Sequence, residues 1–397
     1  MHPVLALALV IVAGIGVTRL SRPALRRPAV LGDLLATGAP FLLLGLLLGP
    51  GLGVVDAAGL HLLEPVVALA VGWTGAVFGA RLEWRMVRRV SDRTWMVGAT
   101  LAIPVLLATT LMALILAHAS PALAESWGHP SLAVALALGG ALTTATSQRA
   151  PRLGRRNALI DTAFGTGAVA VAAALAHPHF AVRTLALTVL AGGGLGGLFV
   201  ALARGAGGAG GGGGGLLPDP SETGVAALAV ILCGAGFSYA AALSPFVVCG
   251  LAAATFMSFS PVAAHRAMAA VLSRWEIALY AAFLLVAGAL LRPMTVWVLV
   301  AAAILALLRI LVRWVTVRFG LDQVDPVWRS LPFAPPREFA YAPIRQGVSA
   351  VALAAGFDLV RGASGAVLIT VLLSVIAAEA IAALTPLTAH PRSTEVS

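Results

Sequence analysis

Long apolar runs separated by short arginine-rich segments form the dominant pattern of this chain. A helix needs about 20 apolar residues to cross a bilayer, so these runs predict membrane helices. Thirteen are predicted, at about 3–19, 34–50, 60–80, 94–117, 131–147, 157–176, 181–203, 222–242, 244–259, 274–291, 294–317, 343–357 and 364–386. The predicted fold class is therefore an all-α polytopic membrane protein.

The composition agrees with this class and narrows the chemistry. Of the 397 residues, 60% are hydrophobic and 11% are charged, whereas charged residues make up about 25% of a typical soluble protein. The sequence contains no lysine, which excludes a Walker-type phosphate loop and a Schiff-base lysine. It also lacks the HExxH and GxSxG motifs of zinc peptidases and serine hydrolases. We therefore expect a protein that is not an enzyme and needs no cofactor or metal.

The placement of the arginines predicts the orientation in the membrane. Arginines cluster in alternate loops, and the intervening loops contain only Arg183, Arg292 and Arg361. By the positive-inside rule, the N-terminus is outside and the C-terminus is cytoplasmic, and we expect a bacterial inner membrane. The net charge of +10 follows from this topology, so it does not indicate nucleic-acid binding.

A glycine-rich segment divides the chain into two parts of similar helix content. We predict an extra N-terminal helix and basic loop (1–30), a first repeat with a linker helix (31–204), a flexible cytoplasmic linker (205–221), a second repeat (222–388) and a short tail (389–397). Predicted helices two to six and nine to thirteen form two runs of five. Because the two runs start seven helices apart, they insert with opposite orientation. This arrangement is typical of inverted-repeat transporters, whose site lies near the membrane midplane.

Several segments resemble the cation:proton antiporter superfamily. Two of them resemble the first part of the superfamily's sequence: FLLLGLLLGPGLG (41–53) and VVALAVGWTGAVFGARLEWRMVRR (66–89). Residues 292–320 are similar to the tenth core helix of glutathione-gated potassium efflux antiporters, and YAPIRQGVSAVALAAG (341–356) to one of two helices that unwind and cross. The resemblance spans residues 38–384. It implies a member of the monovalent cation:proton antiporter-2 branch that forms a homodimer and exchanges protons for Na⁺ or K⁺.

Two charged residues lie inside apolar runs and carry the predicted mechanism. Asp161 is the acid nearest the middle of run 157–176, and Arg309 lies within run 297–317. A charge at bilayer depth costs about 3 kcal/mol or more without a partner, so we predict that Arg309 pairs with Asp161; the alternative is that Arg309 snorkels to the cytoplasmic face. We expect Arg313, one turn further on, to snorkel to the cytoplasmic face. Burial favours a neutral acid, so a proton and a cation can compete for this carboxylate in an electroneutral exchange.

The resemblance implies a second broken helix over residues 131–150, whose hydroxyl groups would lie at the break. Hydroxyl and freed carbonyl oxygens suit a partly dehydrated alkali cation; the alternative is that the hydroxyls bond back to carbonyls one turn earlier. Glu379, the inverted-repeat counterpart of Asp161, is a supporting charge or a helix-packing contact. The candidate hydroxyl ligands are Thr143, Thr144, Thr146 and Ser147.

The residues around Asp161 allow two alternatives, one of alignment and one of function. The family's Asn-Asp or Asp-Asp pair falls on Ile160-Asp161 or, in a second register, on Gly165-Thr166. The irregular pair also favours a second function, a degenerate antiporter fold that acts as a regulatory or scaffold subunit without transport. The acids near helix ends are expected to face water; they are Glu64, Glu276 and Asp358.

Overall fold

A computed structural model describes eight segments of the chain and a few single positions. The segments are 57–128, 131–145, 152–177, 181–205, 220–289, 295–320, 346–362 and 365–384, and the single positions are 41, 44, 45 and 47. Within these residues, eleven helices have twelve residues or more, and no strand is present. They are α1 (Ala57–Arg81), α2 (Asp92–Ala119), α3 (Leu132–Thr143), α4 (Arg152–Leu175), α5 (Ala181–Gly205), α6 (Pro220–Ala240), α7 (Pro245–Phe259), α8 (Val262–Ala289), α9 (Val296–Val315), α10 (Gly347–Arg361) and α11 (Ala366–Leu384).

Three smaller elements complete the described helical structure. Short helices span Trp84–Val87 and Pro121–Ser126, and a π-helical turn, Thr316–Gly320, continues α9. Every predicted helix from 60–80 onwards corresponds to one of α1 to α11. The predicted helix 3–19 and most of 34–50 lie outside the described residues, as does most of the predicted linker 205–221. The total of thirteen helices and the two inverted repeats therefore stay predictions.

The largest boundary error concerns α8, which was predicted to begin at residue 274 and begins at Val262. His265 and Arg266 interrupt the apolar run there, but the segment contains neither glycine nor proline to break a helix. Hydropathy therefore reports where a helix enters apolar surroundings, and the helix itself starts earlier.

Several described helices meet the requirements for crossing a membrane. Four of them are long and apolar enough by length and composition, within Asp92–Ala119, Asn157–Leu175, Ala181–Ala203 and Val296–Phe319. In α8, the pair Ala264–Glu276 and Leu279–Ala289, bent by 43°, would be a fifth span. Shorter apolar helices lie in α3, α6, α7 and α11. The chain is therefore a multi-pass, all-α membrane protein.

The described helices pack around two apolar clusters. The larger cluster takes residues from α1 to α4 and from α7 to α11, and the smaller from α1 and from α5 to α8. Helices α1, α7 and α8 contribute to both clusters, so they join them. Six helices contribute to the larger cluster alone, and we call them the core group, because the candidate site lies among them: α2, α3, α4, α9, α10 and α11.

Helices α1 and α7 touch through their backbones. A Cβ atom added at Gly79 of α1 would lie 1.9 Å from the carbonyl oxygen of Gly250 in α7, so a larger residue could not fit there. Gly192 and Gly196 of α5 also pack closely against α7. Their added Cβ atoms would lie 2.8 Å and 2.5 Å from α7 carbonyl oxygens. Small residues thus hold α7 tightly between two neighbours.

Candidate functional site

Helix α3 ends in the interior of the core group. It has only 12 residues, and the backbone becomes extended at Thr144, with φ −61° and ψ 145°. Such a helix covers about 18 Å, which is less than the hydrocarbon thickness of a bilayer. The predicted continuation to residue 147 is therefore wrong, because α3 breaks earlier. The last carbonyl groups of a helix have no partner within it, so a buried end needs donors from elsewhere.

Arg309 supplies those donors from α9. Its side chain is 1% exposed. Nε donates to the carbonyl oxygen of Leu142 at 2.7 Å, and Nη2 donates to that of Thr144 at 3.2 Å. The Leu142 oxygen also accepts a hydrogen bond from Nε2 of Gln346, just before α10, at 3.1 Å. A guanidinium is favourable here because a helix C-terminus carries partial negative charge. Arg309 and Gln346 therefore stabilise the broken end of α3.

The direct ion-pair partner of Asp161 is Arg313. Nη2 of Arg313 donates to Oδ2 of Asp161, and the two side chains are 3% and 0% exposed. The predictions that Arg309 is the direct partner and that Arg313 snorkels to the surface are therefore wrong. Arg309 and Arg313 are four residues apart on one face of α9. The second of them meets the carboxylate, while the first remains within electrostatic range of it.

Several buried polar atoms around this ion pair have no hydrogen-bond partner among the described residues. They are Oδ1 of Asp161, Nε and Nη1 of Arg313, both amide atoms of Asn157 and Oε1 of Gln346. Asn157 lies one turn before Asp161 in α4 and is 4% exposed. Buried polar groups nearly always have a protein or water partner. The cluster thus keeps donors and acceptors that water or a small ion can use.

Sequence reasoning missed three members of this cluster, Asn157, Gln346 and Arg313. The i, i+4 spacing of Asn157 and Asp161 was the signal that could have found the first. Nothing local marks Gln346, because its partner oxygen is 204 residues away in sequence.

The hydroxyl groups of the two threonines at the break donate back to carbonyl oxygens about one turn earlier, which is the alternative given above for these residues. Thr143 Oγ1 donates to the carbonyl oxygen of Gly139 at 2.7 Å, and Thr144 Oγ1 donates to that of Ala141 at 2.9 Å. A hydroxyl that donates still keeps lone pairs that can accept or coordinate. The other predicted hydroxyl ligands, Thr146 and Ser147, lie outside the described residues, as does the side chain of Glu379 in α11.

Helices α3 and α4 cross at two glycines. A Cβ atom added at Gly165 would lie 2.4 Å from the carbonyl oxygen of Gly140, and one added at Gly140 would lie 2.8 Å from that of Gly165. Thr166 donates to the Thr162 carbonyl oxygen at 2.7 Å. The second register places the family's pair on Gly165 and Thr166, at the position where α3 and α4 pack closely. Asp161, the one acid in α4, faces α9.

The remaining acids behave differently from one another. Glu64 accepts a hydrogen bond from the Tyr239 hydroxyl at 2.8 Å, and Glu276 pairs with Arg81 at 3.1 Å, both near the surface. The expectation that Asp358 faces water is wrong, because its side chain is 6% exposed. The packing of α11 against the end of α10 buries it, and sequence position near a helix end does not reveal such cover.

Comparison with known proteins places the fold. No protein-family model matches the chain, and no curated protein matches its sequence. The solved structure of the sodium proton antiporter MjNhaP1 from Methanocaldococcus jannaschii at pH 8 is similar, with a TM-score of 0.61 and 15% sequence identity. The similarity covers 97% of this chain and 98% of that chain. The chain shares that antiporter's fold. The fold that the family resemblance implied is therefore confirmed. Membership of a particular branch stays a prediction.

Proposed function

We propose that the protein is a secondary active transporter that exchanges protons for a monovalent cation, Na⁺ or K⁺, across the cytoplasmic membrane. One observation carries the proposal. The carboxylate of Asp161 is fully buried, and the next residue, Thr162, donates to the Ala145 carbonyl oxygen just past the broken end of α3 at 3.4 Å, in a fold shared with a sodium proton antiporter. Irregular backbone within a membrane protein is tolerated where it lines a cavity, and broken helices often form ion sites.

The proposed mechanism is a competition for Asp161. With no ion bound, Arg313 neutralises the carboxylate. An arginine stays protonated in proteins, so Arg313 cannot carry the exchanged proton, and Asp161 must do so. A proton or a cation that binds to Asp161 replaces the guanidinium as its partner. Because one carboxylate takes either ligand, each turnover exchanges one proton for one cation and moves no net charge.

Oxygen atoms near the carboxylate complete the proposed coordination. Thr143 and Thr144 contribute hydroxyls, with Thr146 and Ser147 further along the same segment. We add the amide oxygen of Asn157, which lies on the same face of α4 as Asp161 and has no partner among the described residues.

Other groups support this arrangement rather than bind the ion. Arg309 holds the broken end of α3 through two carbonyl oxygens, and Glu379 is proposed as a second supporting charge. Alternating access would move the core group against α1 and α5 to α8, as in inverted-repeat transporters. The proposal includes a homodimer in a bacterial inner membrane with its N-terminus outside.

A second candidate function is a regulatory or scaffold subunit that retains the fold without transport. The ion pair favours it, because a permanent guanidinium already occupies Oδ2 of Asp161. The apolar neighbour Ile160 also departs from the Asn-Asp or Asp-Asp pair of the antiporter family.

Flux through purified protein decides between the two functions. Proteoliposomes containing an internal pH-sensitive dye are given a pH gradient, and NaCl or KCl is then added outside. Exchange predicts that the cation collapses the gradient with wild type and not with Asp161→Asn. Glu125→Gln, which neutralises an exposed acid, is the matched control and should behave as wild type. A wild-type protein inert to every alkali cation would support the scaffold function.

A further inference from the structure

A second buried acid lies at the far end of α10. Asp358 is 6% exposed, and its Oδ2 accepts the backbone N–H of Leu368, in the first turn of α11, at 2.8 Å. Its Oδ1 has no hydrogen-bond partner among the described residues. The Leu368 contact accounts for one oxygen as a helix cap, since the first amides of a helix need acceptors. It leaves the other oxygen without a role.

Asp358 forms no ion pair within the described part of the chain, although an arginine is near. Arg361 acts on it electrostatically, but its guanidinium donates to the carbonyl oxygens of Trp127 at 3.0 Å and Gly128 at 2.8 Å. The group that α11 contributes to the carboxylate is the backbone amide of Leu368, which is uncharged. Trp127 is also uncharged. The Trp127 indole donates to Thr370 at 3.1 Å. Arg361 is therefore the charged group that faces Asp358 among the described residues.

Among the acids of the core group whose side chains the structure describes, Asp161 and Asp358 are buried, and they differ in one respect. Asp161 has a permanent cation, Arg313, as a hydrogen-bonded partner, whereas Asp358 has a backbone amide and an unused oxygen. An ionised carboxylate that is buried without a close cation is strongly unfavourable. Such a group is stabilised when it takes up a proton or a small cation.

The position of Asp358 separates it from the first site. Helix α10 starts after Gln346, which contacts the broken end of α3, and Asp358 lies twelve residues later. At about 1.5 Å per helical residue, the separation along the axis is about 18 Å, more than half of a hydrocarbon core of about 30 Å. Within this interval, residues Ala350 to Phe357 are buried and apolar.

We propose that Asp358 is a second ion-binding carboxylate, which takes up a monovalent cation, in competition with a proton, at the end of α10 remote from Asp161. The inference rests on the proposed exchange function and extends it from one acidic site to two at different depths. Asp358 is then the site that an ion meets at one side of the membrane, and Asp161 is the site around which access alternates.

A matched pair of substitutions separates ion binding from helix capping. Asp358→Asn keeps an oxygen that accepts the Leu368 N–H and removes the charge, whereas Asp358→Ala removes both. Glu125→Gln removes an exposed acid from the segment that precedes Trp127 and serves as the charge control. Two readouts are compared: the cation concentration for half-maximal collapse of a pH gradient in proteoliposomes, and the rise in melting temperature that NaCl or KCl gives over choline chloride in detergent.

Ion binding at Asp358 predicts a specific pattern. For Asp358→Asn, the cation concentration for half-maximal exchange should rise at least about tenfold, because a charged ligand has been removed. This variant should also lose part of the cation-induced rise in melting temperature. Its melting temperature in choline chloride should stay near that of wild type, and that of Asp358→Ala should fall. If Asp358→Asn equals wild type in both readouts, Asp358 is a cap only and the inference is overturned.

The melting assay keeps this inference distinct from the proposed function. If wild type shows no exchange, the exchange function fails, and a cation-induced rise that Asp358→Asn diminishes still supports a cation site. A wild-type protein that gains no stability from any alkali cation, or a rise that the substitution leaves intact, overturns the site.

Discussion

Arg313 donates a hydrogen bond from its guanidinium to the carboxylate of Asp161, and water reaches almost none of either side chain. The ion pair links α9 to α4, and Thr162, the residue after Asp161, donates to the Ala145 carbonyl oxygen just past the broken end of α3. In the proposed mechanism, this contact is the resting state that a cation or a proton replaces. Its strength therefore affects both the stability of the protein and the affinity for the ion.

Removing the arginine should destabilise the protein. Arg313→Gln leaves the Asp161 carboxylate buried without its partner, and breaking one side of a buried ion pair costs about 3–5 kcal/mol. The double variant Asp161→Asn, Arg313→Gln should recover much of the loss, because both charges are then absent. Melting temperatures of the four proteins in detergent test this coupling. Additive effects of the two substitutions would contradict a direct interaction.

Arg309 should matter through the backbone of α3. Arg309→Gln removes the donors to the Leu142 and Thr144 carbonyl oxygens. The Leu142 oxygen keeps its hydrogen bond from Gln346, whereas the Thr144 oxygen loses its donor, which costs about 1–3 kcal/mol. Hydrogen–deuterium exchange should increase for the peptide that contains residues 141–145. Unchanged protection of that peptide would mean that Arg309 is not needed to hold the break.

The crossing of α3 and α4 should tolerate no added methyl group at Gly165. Gly165→Ala places a Cβ atom 2.4 Å from the Gly140 carbonyl oxygen, and overpacking of this kind costs about 1–3 kcal/mol. Gly167→Ala is the matched control, because no atom lies within 4 Å of its added Cβ. Alanine favours the helix over glycine by about 1 kcal/mol. The melting temperature should fall for the first variant and hold or rise for the second; equal behaviour would contradict the close crossing.

Asn157 should contribute to ion affinity rather than to stability. Both amide atoms lack partners among the described residues, so replacing the group with an apolar one of similar size should cost little. Asn157→Leu should therefore melt near the wild-type temperature while requiring several-fold more cation for half-maximal exchange. A fall in melting temperature with unchanged cation affinity would instead assign Asn157 a structural hydrogen bond.

The sequence predicted the helices better than the site. Apolar runs located α1 to α11 because hydrophobic burial and bilayer thickness both require them. The break at Thr144 came from the family resemblance, since residues 131–147 read as one uninterrupted run. Arg309 and Arg313 lie on the same helix face, and spacing alone does not show which of them meets Asp161. Asp358 was misjudged because its cover comes from α11, a tertiary contact that a local pattern does not encode.

Cation uptake driven by a pH gradient tests the central claim most directly. Proteoliposomes with wild-type protein or Asp161→Asn are loaded at acidic pH and diluted into alkaline buffer with radioactive sodium or with rubidium as a potassium analogue. The proposed mechanism predicts gradient-dependent uptake by wild type, unaffected by clamping the membrane potential at zero, and background uptake by the variant. Equal uptake by both proteins would contradict the claim that the ion competes for Asp161.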